Sequence, residues 1–489
     1  MKKSIIYTVL TLGILTSSCN TDDFLTLEPS NSNTALSFFN TEKQINEGVT
    51  AIYTSHRGIY SNQWKFGEFR SDNTSYQRNE ADRGGARLEE NDEFTMSADN
   101  GNISQLWNGW YGVVLDANNI INNIPEVDFN DSALKDARLG EALFFRTWAY
   151  FNLTRNFGAV PFVTSVASSP ENAVNDEFTT RVDKAEIHAA IMEDLERAIS
   201  FLPKSWSPSD EGRVTQGTAL MLKAKILMED QQFSEAIAPL RQMETLGYQI
   251  LADYKQNFDP SNKNSAESVF ELQYSFDQGQ PSNFLTSFVP FNSGSDLVIF
   301  GTASGRAGLN QPTQDLINLY SEEDARFSVN IAFYGEGDAS EPYINKYYYL
   351  PLAPGQQDIN YPVFRYADAR LMLAECLVET GDITSGLNIV NNEIRPRTGL
   401  TETVDATSKE EALEKIAIER RLELAFENHR WFDLVRTGKA VETMKAHGDD
   451  LLALKPHLTQ GLEYENIRTL LAIPFNQVQQ FGYEQNAGW

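Results

Sequence analysis

The chain has 489 residues, 41% of them hydrophobic, and its 40 Lys and Arg against 68 Asp and Glu give a formal charge of −28. This length allows one large domain or two to three ordinary ones, and the apolar share allows a substantial core. The negative charge excludes nonspecific nucleic-acid binding, which needs Lys and Arg to neutralise phosphates. It favours a neutral ligand over a polyanion, unless a local basic patch overrides the global field.

The start of the chain has the layout of a secretory signal. Lys2 and Lys3 precede a short apolar run, a few small residues and then Cys19. The run is shorter than the roughly 20 residues needed to span a bilayer. This layout resembles a bacterial lipoprotein signal, although Thr16 stands where the lipobox usually has Leu. We expect residues 1–18 to be removed, which takes away both lysines and leaves a side-chain charge two units more negative than −28.

The cysteines predict a lipid anchor and no disulfide. Cys19 is the predicted lipidation site, and residues 19–42 are the predicted tether. Asp22 and Asp23 behind it resemble the surface-export signal of Bacteroidota lipoproteins, which places the protein on the outer membrane facing outward. The alternative is ordinary secretion with an incidental cysteine. Cys376 is the only other cysteine, and its apolar helical context predicts a buried, inert thiol.

Apolar periodicity predicts a mainly α fold. The predicted helices cover 43–60, 103–123, 133–156, 183–202, 215–230, 234–246, 363–380, 383–394 and 409–428. Two pairs, 215–230 with 234–246 and 363–380 with 383–394, are joined by short turns and resemble tetratricopeptide units. We therefore predict one domain over 43–489, a degenerate tetratricopeptide-like scaffold of helix hairpins.

Two stretches interrupt the helical pattern and are predicted to be loop excursions. Residues 61–101 are polar and contain glycines, and residues 248–360 hold short strand-like runs among Asn, Ser, Gly and Pro. Long irregular loops on a rigid frame usually carry function. The predicted fold is thus a helical scaffold with large insertions and a few short strands.

The segment Glu419–Arg436, ERRLELAFENHRWFDLVR, is the most characteristic part of the chain. It resembles the RagB/SusD family, surface glycan-binding lipoproteins of Bacteroidota, although His429 stands where the family often has Gly. Weaker matches are 146–161, Pro362 with 365–368, 373–375, and 471–474 with Asn486. The resemblance implies a SusD-like fold that captures glycan without catalysis and delivers it to a SusC-like TonB-dependent transporter.

The residues of this segment predict a structural role for its carboxylates. Glu419, Glu423 and Glu427 recur every four residues and form one stripe on a helix. One alternative is catalysis, because a glycosidase uses two carboxyl groups as acid and base. The neighbouring arginines favour an ion-paired helix instead, with Trp431 as a packed aromatic.

No catalytic constellation is recognisable in the sequence. Zinc-protease and serine-hydrolase motifs are missing, and the glycine-rich run at 301–306 lacks the Lys-Ser/Thr of a phosphate loop. The five histidines show no ligand spacing. We therefore predict no catalytic residue, no metal and no cofactor.

The loop 61–85 contains the residue types that bind sugars, namely aromatic rings for stacking and planar polar groups for hydroxyls. Ser71-Asp72-Asn73 is similar to a recurrent Ser-Asp of the family. The predicted glycan contacts are Trp64, Asp72, Asn73, Tyr76, Arg78 and Arg83. The alternative is structural: the two rings pack the loop, and Asp72 caps a turn.

A second location for the site is the segment 284–300. Its phenylalanines crowd together and form either a binding surface or a local core; they are Phe284, Phe288, Phe291 and Phe300.

The overall negative charge of the chain favours a neutral glycan. A local cluster of basic residues would instead favour an acidic glycan. It consists of Arg70, Arg78, Arg83 and Arg87.

Two other functions compete with glycan capture. Helix-hairpin repeats commonly bind proteins, so one alternative is an interaction scaffold at the outer membrane. The other is a surface glycoside hydrolase, for which the sequence supplies only paired carboxylates.

Overall fold

The computed structural model describes residues 38–77, 86–167, 175–298, 308–337, 340–454 and 467–489. Helices dominate these ranges, which confirms the mainly α fold. No helix among the described residues is long and apolar enough to cross a bilayer. Cys19, Arg78, Arg83 and Phe300 lie outside the described residues.

Long helices alternate with short ones along the chain. In chain order they are α1 (Glu42–Tyr60), α2 (Trp64–Gly67), α3 (Ala86–Asp92), α4 (Gly101–Asn123), α5 (Ser132–Phe157), α6 (Asp176–Thr179), α7 (Lys184–Phe201), α8 (Gln216–Glu229), α9 (Phe233–Met243), α10 (Gly294–Leu297), α11 (Gln314–Leu319), α12 (Ala325–Asn330), α13 (Tyr366–Glu379), α14 (Ile383–Ile389), α15 (Lys409–Glu423), α16 (Arg430–Arg436), α17 (Ala440–Leu454) and α18 (Phe475–Phe481). Several starts are capped by side-chain oxygens that accept from first-turn N–H groups, including Thr41, Asn100, Asp131 and Ser408.

The long helices pack side by side in one continuous row. The row runs α1, α4, α5, α7, α8, α9 and α13, and α14 and α15 both pack on α13. The two predicted hairpins are the pairs α8–α9 and α13–α14. Because each helix covers the apolar face of its neighbour, the row encloses a single extended core.

The core contains the residues expected in it. Trp110 and Trp148 are buried and meet edge to face, with ring centroids 6.2 Å apart. Cys376 on α13 is buried, and that burial raises the pKa of its thiol to about 12. The thiol is therefore protonated at neutral pH, as expected of an inert cysteine.

The strands form four antiparallel pairs in the described ranges. They are β1 (Thr74–Tyr76) with β5 (Asn310–Pro312), β2 (Val160–Pro161) with β3 (Arg181–Val182), β4 (Ser268–Leu272) with β8 (Tyr361–Arg365), and β6 (Ile331–Tyr334) with β7 (Glu341–Ile344). β5 also lies against β7. Strands from both predicted excursions therefore meet in one place.

The excursion at 61–101 is more ordered than its sequence suggests, since it contains α2, β1 and α3. The helix predicted over 409–428 ends at Glu423. Phe426 and Asn428 have φ of 69° and 68°, a left-handed conformation that interrupts a right-handed helix. Gly67 lies against this bend, where a Cβ would come within 2.8 Å of Asn428.

Candidate functional site

The glutamate stripe of α15 lies in a buried network of ion pairs. Glu423 pairs with Arg397 at 2.5 Å and with Arg365 at 3.0 Å, and its side chain is fully buried. Burial alone would raise the pKa of Glu423, but the surrounding arginines lower it to about 2. Glu419 pairs with Arg326 at 2.6 Å. These carboxylates are ionised and enclosed, so they fit the predicted structural role.

Asp72 and Asn73 belong to a second set of internal contacts. Arg430 donates two hydrogen bonds, of 2.7 and 2.8 Å, to the Asp72 carboxylate. Arg421 donates to the Asn73 side-chain oxygen at 2.8 Å. Burial would raise the pKa of Asp72, but Arg430 and Arg421 lower it to about 2. The carboxylate is thus used to hold the loop on the scaffold rather than to cap a turn.

Trp64 and Tyr76 do not have the exposed faces expected of sugar-stacking rings. Their exposed fractions are 5% and 1%. Trp64 packs against Phe69 and Phe288, with ring centroids 5.0 and 5.8 Å away. The stacking role predicted for them is therefore wrong for this conformation, and the packing alternative fits.

The predicted basic cluster is also mostly engaged where the structure describes it. Arg70 is buried, with its guanidinium carbon 4.3 Å from the ring centroid of Trp431. Arg87 pairs with Glu90 and Asp99, both at 3.2 Å. Arg78 and Arg83 lie outside the described residues. Arg70 is therefore inaccessible to a ligand, and Arg87 already has two carboxylate partners.

The two alternative binding loops are neighbours in space. In the β1–β5 ladder Tyr76 is paired with Asn310. Gln77, the next residue, accepts a hydrogen bond from the backbone N–H of Phe291 at 3.4 Å and donates one to Glu341 at 2.9 Å. The described ends of the two candidate loops, Gln77 and Phe291, therefore lie on one surface.

We call this surface the rim, and it consists of Gln77, Phe291, Asp296, Tyr334 and Glu341. Tyr334 and Glu341 are paired across β6 and β7, and the Tyr334 hydroxyl donates to Asp296 at 2.6 Å. That hydrogen bond raises the pKa of the Tyr334 phenol. Asp296 is exposed, and the other four are half-buried.

A small apolar core supports the rim from below. It is formed by Leu285, Val289, Val298 and Tyr343, and Tyr334 packs against it. Phe284 and Phe288 are buried, so they are local core, whereas Phe291 keeps part of its ring accessible. A rigid base with two partly open rings, an amide and two carboxylates suits recognition of a polyhydroxylated ligand.

The sequence offered weak signals for most of the rim. Phe291 stood in the phenylalanine-rich segment, but Asp296, Tyr334 and Glu341 are scattered among many similar residues. Only the pairing of β1 with β5 and of β6 with β7 brings them together.

One arrangement in the described part of the chain looks like a catalytic triad. His188 lies 2.9 Å from the Thr154 hydroxyl and 2.8 Å from the Asp230 carboxylate. Thr154 is fully buried, and its hydroxyl donates to the Tyr150 carbonyl at 2.9 Å. No substrate reaches such a hydroxyl, so this is a packing interaction between α5, α7 and α8. Among the described residues no group of three His, Cys, Asp or Glu could hold a metal ion.

Known families match both ends of the chain. A model described as the SusD family matches residues 334–489, and one described as "Starch-binding associating with outer membrane" matches residues 23–228. SusD-like protein P38 of Formosa agariphila is 27% identical over 479 residues, covering 89% of this chain and 91% of its own. A SusD-like protein of Bacteroides ovatus is 25% identical over 386 residues, covering 70% and 67%.

Solved structures share the fold over almost the whole chain. A laminarin-binding SusD-like protein superposes with a TM-score of 0.76 at 24% identity, covering 92% of this chain and 100% of its own. Surface glycan-binding protein A of Bacteroides thetaiotaomicron, in complex with laminarihexaose, gives 0.73 at 19% identity over 91% and 100%. With family models matched at both ends of the chain and SusD-like relatives aligned over 70–89% of it, this chain belongs to the SusD/RagB family.

Proposed function

We propose that this protein is an outer-membrane lipoprotein that binds oligo- or polysaccharide at the cell surface without catalysis. It passes the glycan to a SusC-like TonB-dependent transporter. Support comes from the family membership, from the description of the N-terminal match as outer-membrane-associated, and from related folds named for glycan or laminarin binding.

The rim is the proposed glycan site. The observation that carries this assignment is the pair of hydrogen bonds in which Gln77 donates to Glu341 and accepts from the Phe291 N–H, because they join the two loop excursions. Phe291 and Tyr334 supply ring faces, and Asp296 and Glu341 accept from sugar hydroxyls. Arg78 and Arg83, which follow Gln77 in the chain, remain proposed contacts. Trp64, Asp72, Asn73 and Tyr76 act as the support behind the site.

The proposed ligand is a neutral glycan. Two carboxylates at the rim disfavour an acidic sugar, and Arg70 and Arg87 of the basic cluster already have partners. An open site of this kind binds in the micromolar to millimolar range, about −4 to −8 kcal/mol. Such weak binding suits a protein that hands its ligand on.

A titration of the mature chain with laminarihexaose, and separately with a malto-oligosaccharide of equal length, tests this function. We expect saturable heat from a neutral glucan and an unchanged oligosaccharide on chromatography after long incubation. Shortened products would show a hydrolase instead. Failure of both glucans, together with binding of a polyanionic glycan, would contradict the proposed ligand class.

The proposed anchor is tested separately. Cys19→Ala should release the protein from the outer membrane as a soluble species, because the acyl chains attached to Cys19 would anchor it there. Protease added to intact cells should cleave the wild-type protein. Resistance of the wild-type protein in intact cells, with cleavage after lysis, would contradict outward display.

A further inference from the structure

A cleft of about 750 Å³ lies on the helical scaffold, and none of the five rim residues lines it. Residues of α15 and α17 line it and are called its two walls, and Arg421 and Arg430 are called its floor. We call it the α15–α17 cleft. Its volume is in the range of sites that hold a ligand of substantial size.

The α15 wall has an unusual composition for an exposed helix face. Leu413 and Ala417, four residues apart, line the cleft together with Ile418, which is 45% exposed. Glu410 and Glu414 flank them, are exposed, and form no ion pair with any described residue. The wall thus offers an apolar strip bordered by carboxylates without a cation partner.

The opposite wall repeats the pattern on α17. Glu442, Ala446 and Asp450 line the cleft at four-residue intervals and are exposed. Lys439, at the start of this wall, lies 3.5 Å from Glu442. Both helices therefore contribute aliphatic carbon and exposed carboxylates to the lining of the cleft.

The floor contains cations with unused donors. Arg430 uses Nε and one terminal nitrogen on Asp72, and Arg421 uses the same two positions on Asn73, Asp72 and Asp315. The remaining terminal nitrogen of each guanidinium has no hydrogen-bond partner among the described residues. A guanidinium N–H with no protein acceptor in a cleft is suited to a peptide carbonyl oxygen.

We propose that the α15–α17 cleft docks a peptide segment of a partner protein, one that carries both aliphatic and basic side chains. The aliphatic groups pack on Leu413 and Ile418, Lys or Arg side chains reach Glu410 and Glu414, and backbone carbonyls accept from Arg421 and Arg430. Helix α15 has 15 residues and is about 22 Å long, which matches one helix of that length or an extended segment of about seven residues.

Two other occupants fit the cleft less well. A glycan would need open ring faces, and Phe233 is the only Phe, Tyr or Trp among the described residues that line the cleft. An anionic membrane surface would be repelled by the exposed carboxylates of both walls. A peptide with basic and aliphatic side chains can pair with the carboxylates, cover the apolar strip and supply carbonyl acceptors to the two arginines.

The test uses three synthetic 15-residue peptides, matched in length to α15, and the mature full-length chain. The peptides carry Leu and Lys, Leu and Glu, or Ser and Lys at the same helical spacing. Fluorescence polarisation should show the Leu/Lys peptide binding at least about tenfold more tightly than either of the others. Equal affinity for all three would overturn the proposal.

Matched variants locate the binding. Ile418→Ser should weaken binding of the Leu/Lys peptide about fivefold or more. Leu352 is 58% exposed and lies away from the cleft, so Leu352→Ser should change the affinity less than about twofold. Glu414→Lys should also lower the affinity for this peptide, whereas Glu126→Lys, which makes the same charge change outside the cleft, should not. Because Ile418 and Glu414 are exposed, neither change endangers the fold.

Amide exchange with the Leu/Lys peptide bound should show protection in Lys409–Glu423 and Ala440–Leu454. Protection elsewhere, or an Ile418→Ser variant with wild-type affinity, would overturn the proposal. Competition by laminarihexaose would instead make the cleft a glycan site. Glycan binding at the rim is measured in the same variants and should be unaffected, so the two assignments fail independently.

Discussion

Gln77 donates a hydrogen bond of 2.9 Å to Glu341, a residue 264 positions away in the sequence. The contact joins the end of the first loop excursion to the hairpin of β6 and β7. Gln77 directly precedes Arg78, one of the residues that the sequence assigns to glycan binding. The rim is therefore held by long-range polar contacts rather than by one local loop.

Removing the acceptor of this hydrogen bond should loosen the rim without unfolding the protein. Glu341→Ala is expected to accelerate amide exchange over residues 284–298 and to weaken glycan binding a few-fold, because the surface becomes less pre-organised. Glu341→Gln keeps an acceptor oxygen and serves as the control. Identical exchange in both variants would mean that the contact does not organise the rim.

Trp64 should matter for stability rather than for direct sugar contact. Its ring is buried against Phe69 and Phe288, so Trp64→Ala should cost about 3–5 kcal/mol of unfolding free energy. Denaturant unfolding followed by circular dichroism measures this. A variant with wild-type stability that nevertheless loses glycan binding would restore Trp64 as a stacking residue.

Trp431 is expected to anchor the segment that characterises the family. It is buried in a small core with Phe94 and Met444, beneath the guanidinium of Arg70. Trp431→Ala should also cost about 3–5 kcal/mol. Phe475 is 50% exposed, and Phe475→Ala, the matched control, should cost less than about 1 kcal/mol. An unchanged thermal midpoint for Trp431→Ala would contradict the structural role.

Glu68 should make stability fall as pH rises. Burial raises the pKa of Glu68 to about 8, although hydrogen bonds from Asn428 and Asn73 oppose the increase. The unfolded pKa is about 4.3, so the folded state binds this proton more tightly, and its stabilising contribution is lost between about pH 4 and pH 8.

Glu68→Gln should therefore be more stable than wild type at pH 8 and nearly equal at pH 5. Thermal melts across this range measure the difference, with the exposed Glu126→Gln as the control that leaves the slope unchanged. Parallel pH profiles for wild type and Glu68→Gln would show that Glu68 is ionised in the fold at neutral pH.

The scaffold could be predicted from sequence because its signals are local. Apolar spacing gave the hairpins α8–α9 and α13–α14, and the four-residue spacing of Glu419, Glu423 and Glu427 gave the ion-paired stripe. The end of α15 at Glu423 could not be seen, because it depends on left-handed residues at the bend that follows.

The site was harder to predict, because its residues come from separate segments. Trp64 and Tyr76 have the composition of a sugar platform, but their burial is decided by distant partners such as Phe288 and by the pairing with β5. Tyr334 and Asp296 carry no motif, and their proximity follows from tertiary pairing alone.

Calorimetry on one double variant shows whether glycan binds at the rim. Phe291→Ala/Tyr334→Ala should fold normally and lose at least about tenfold in affinity for the glucan that binds the wild type, because both stacking rings are gone. Phe333→Ala removes the neighbouring ring of β6, which is 48% exposed and points to the opposite face, and should bind as wild type does. Wild-type affinity in the double variant would mean that the glycan binds somewhere other than the rim.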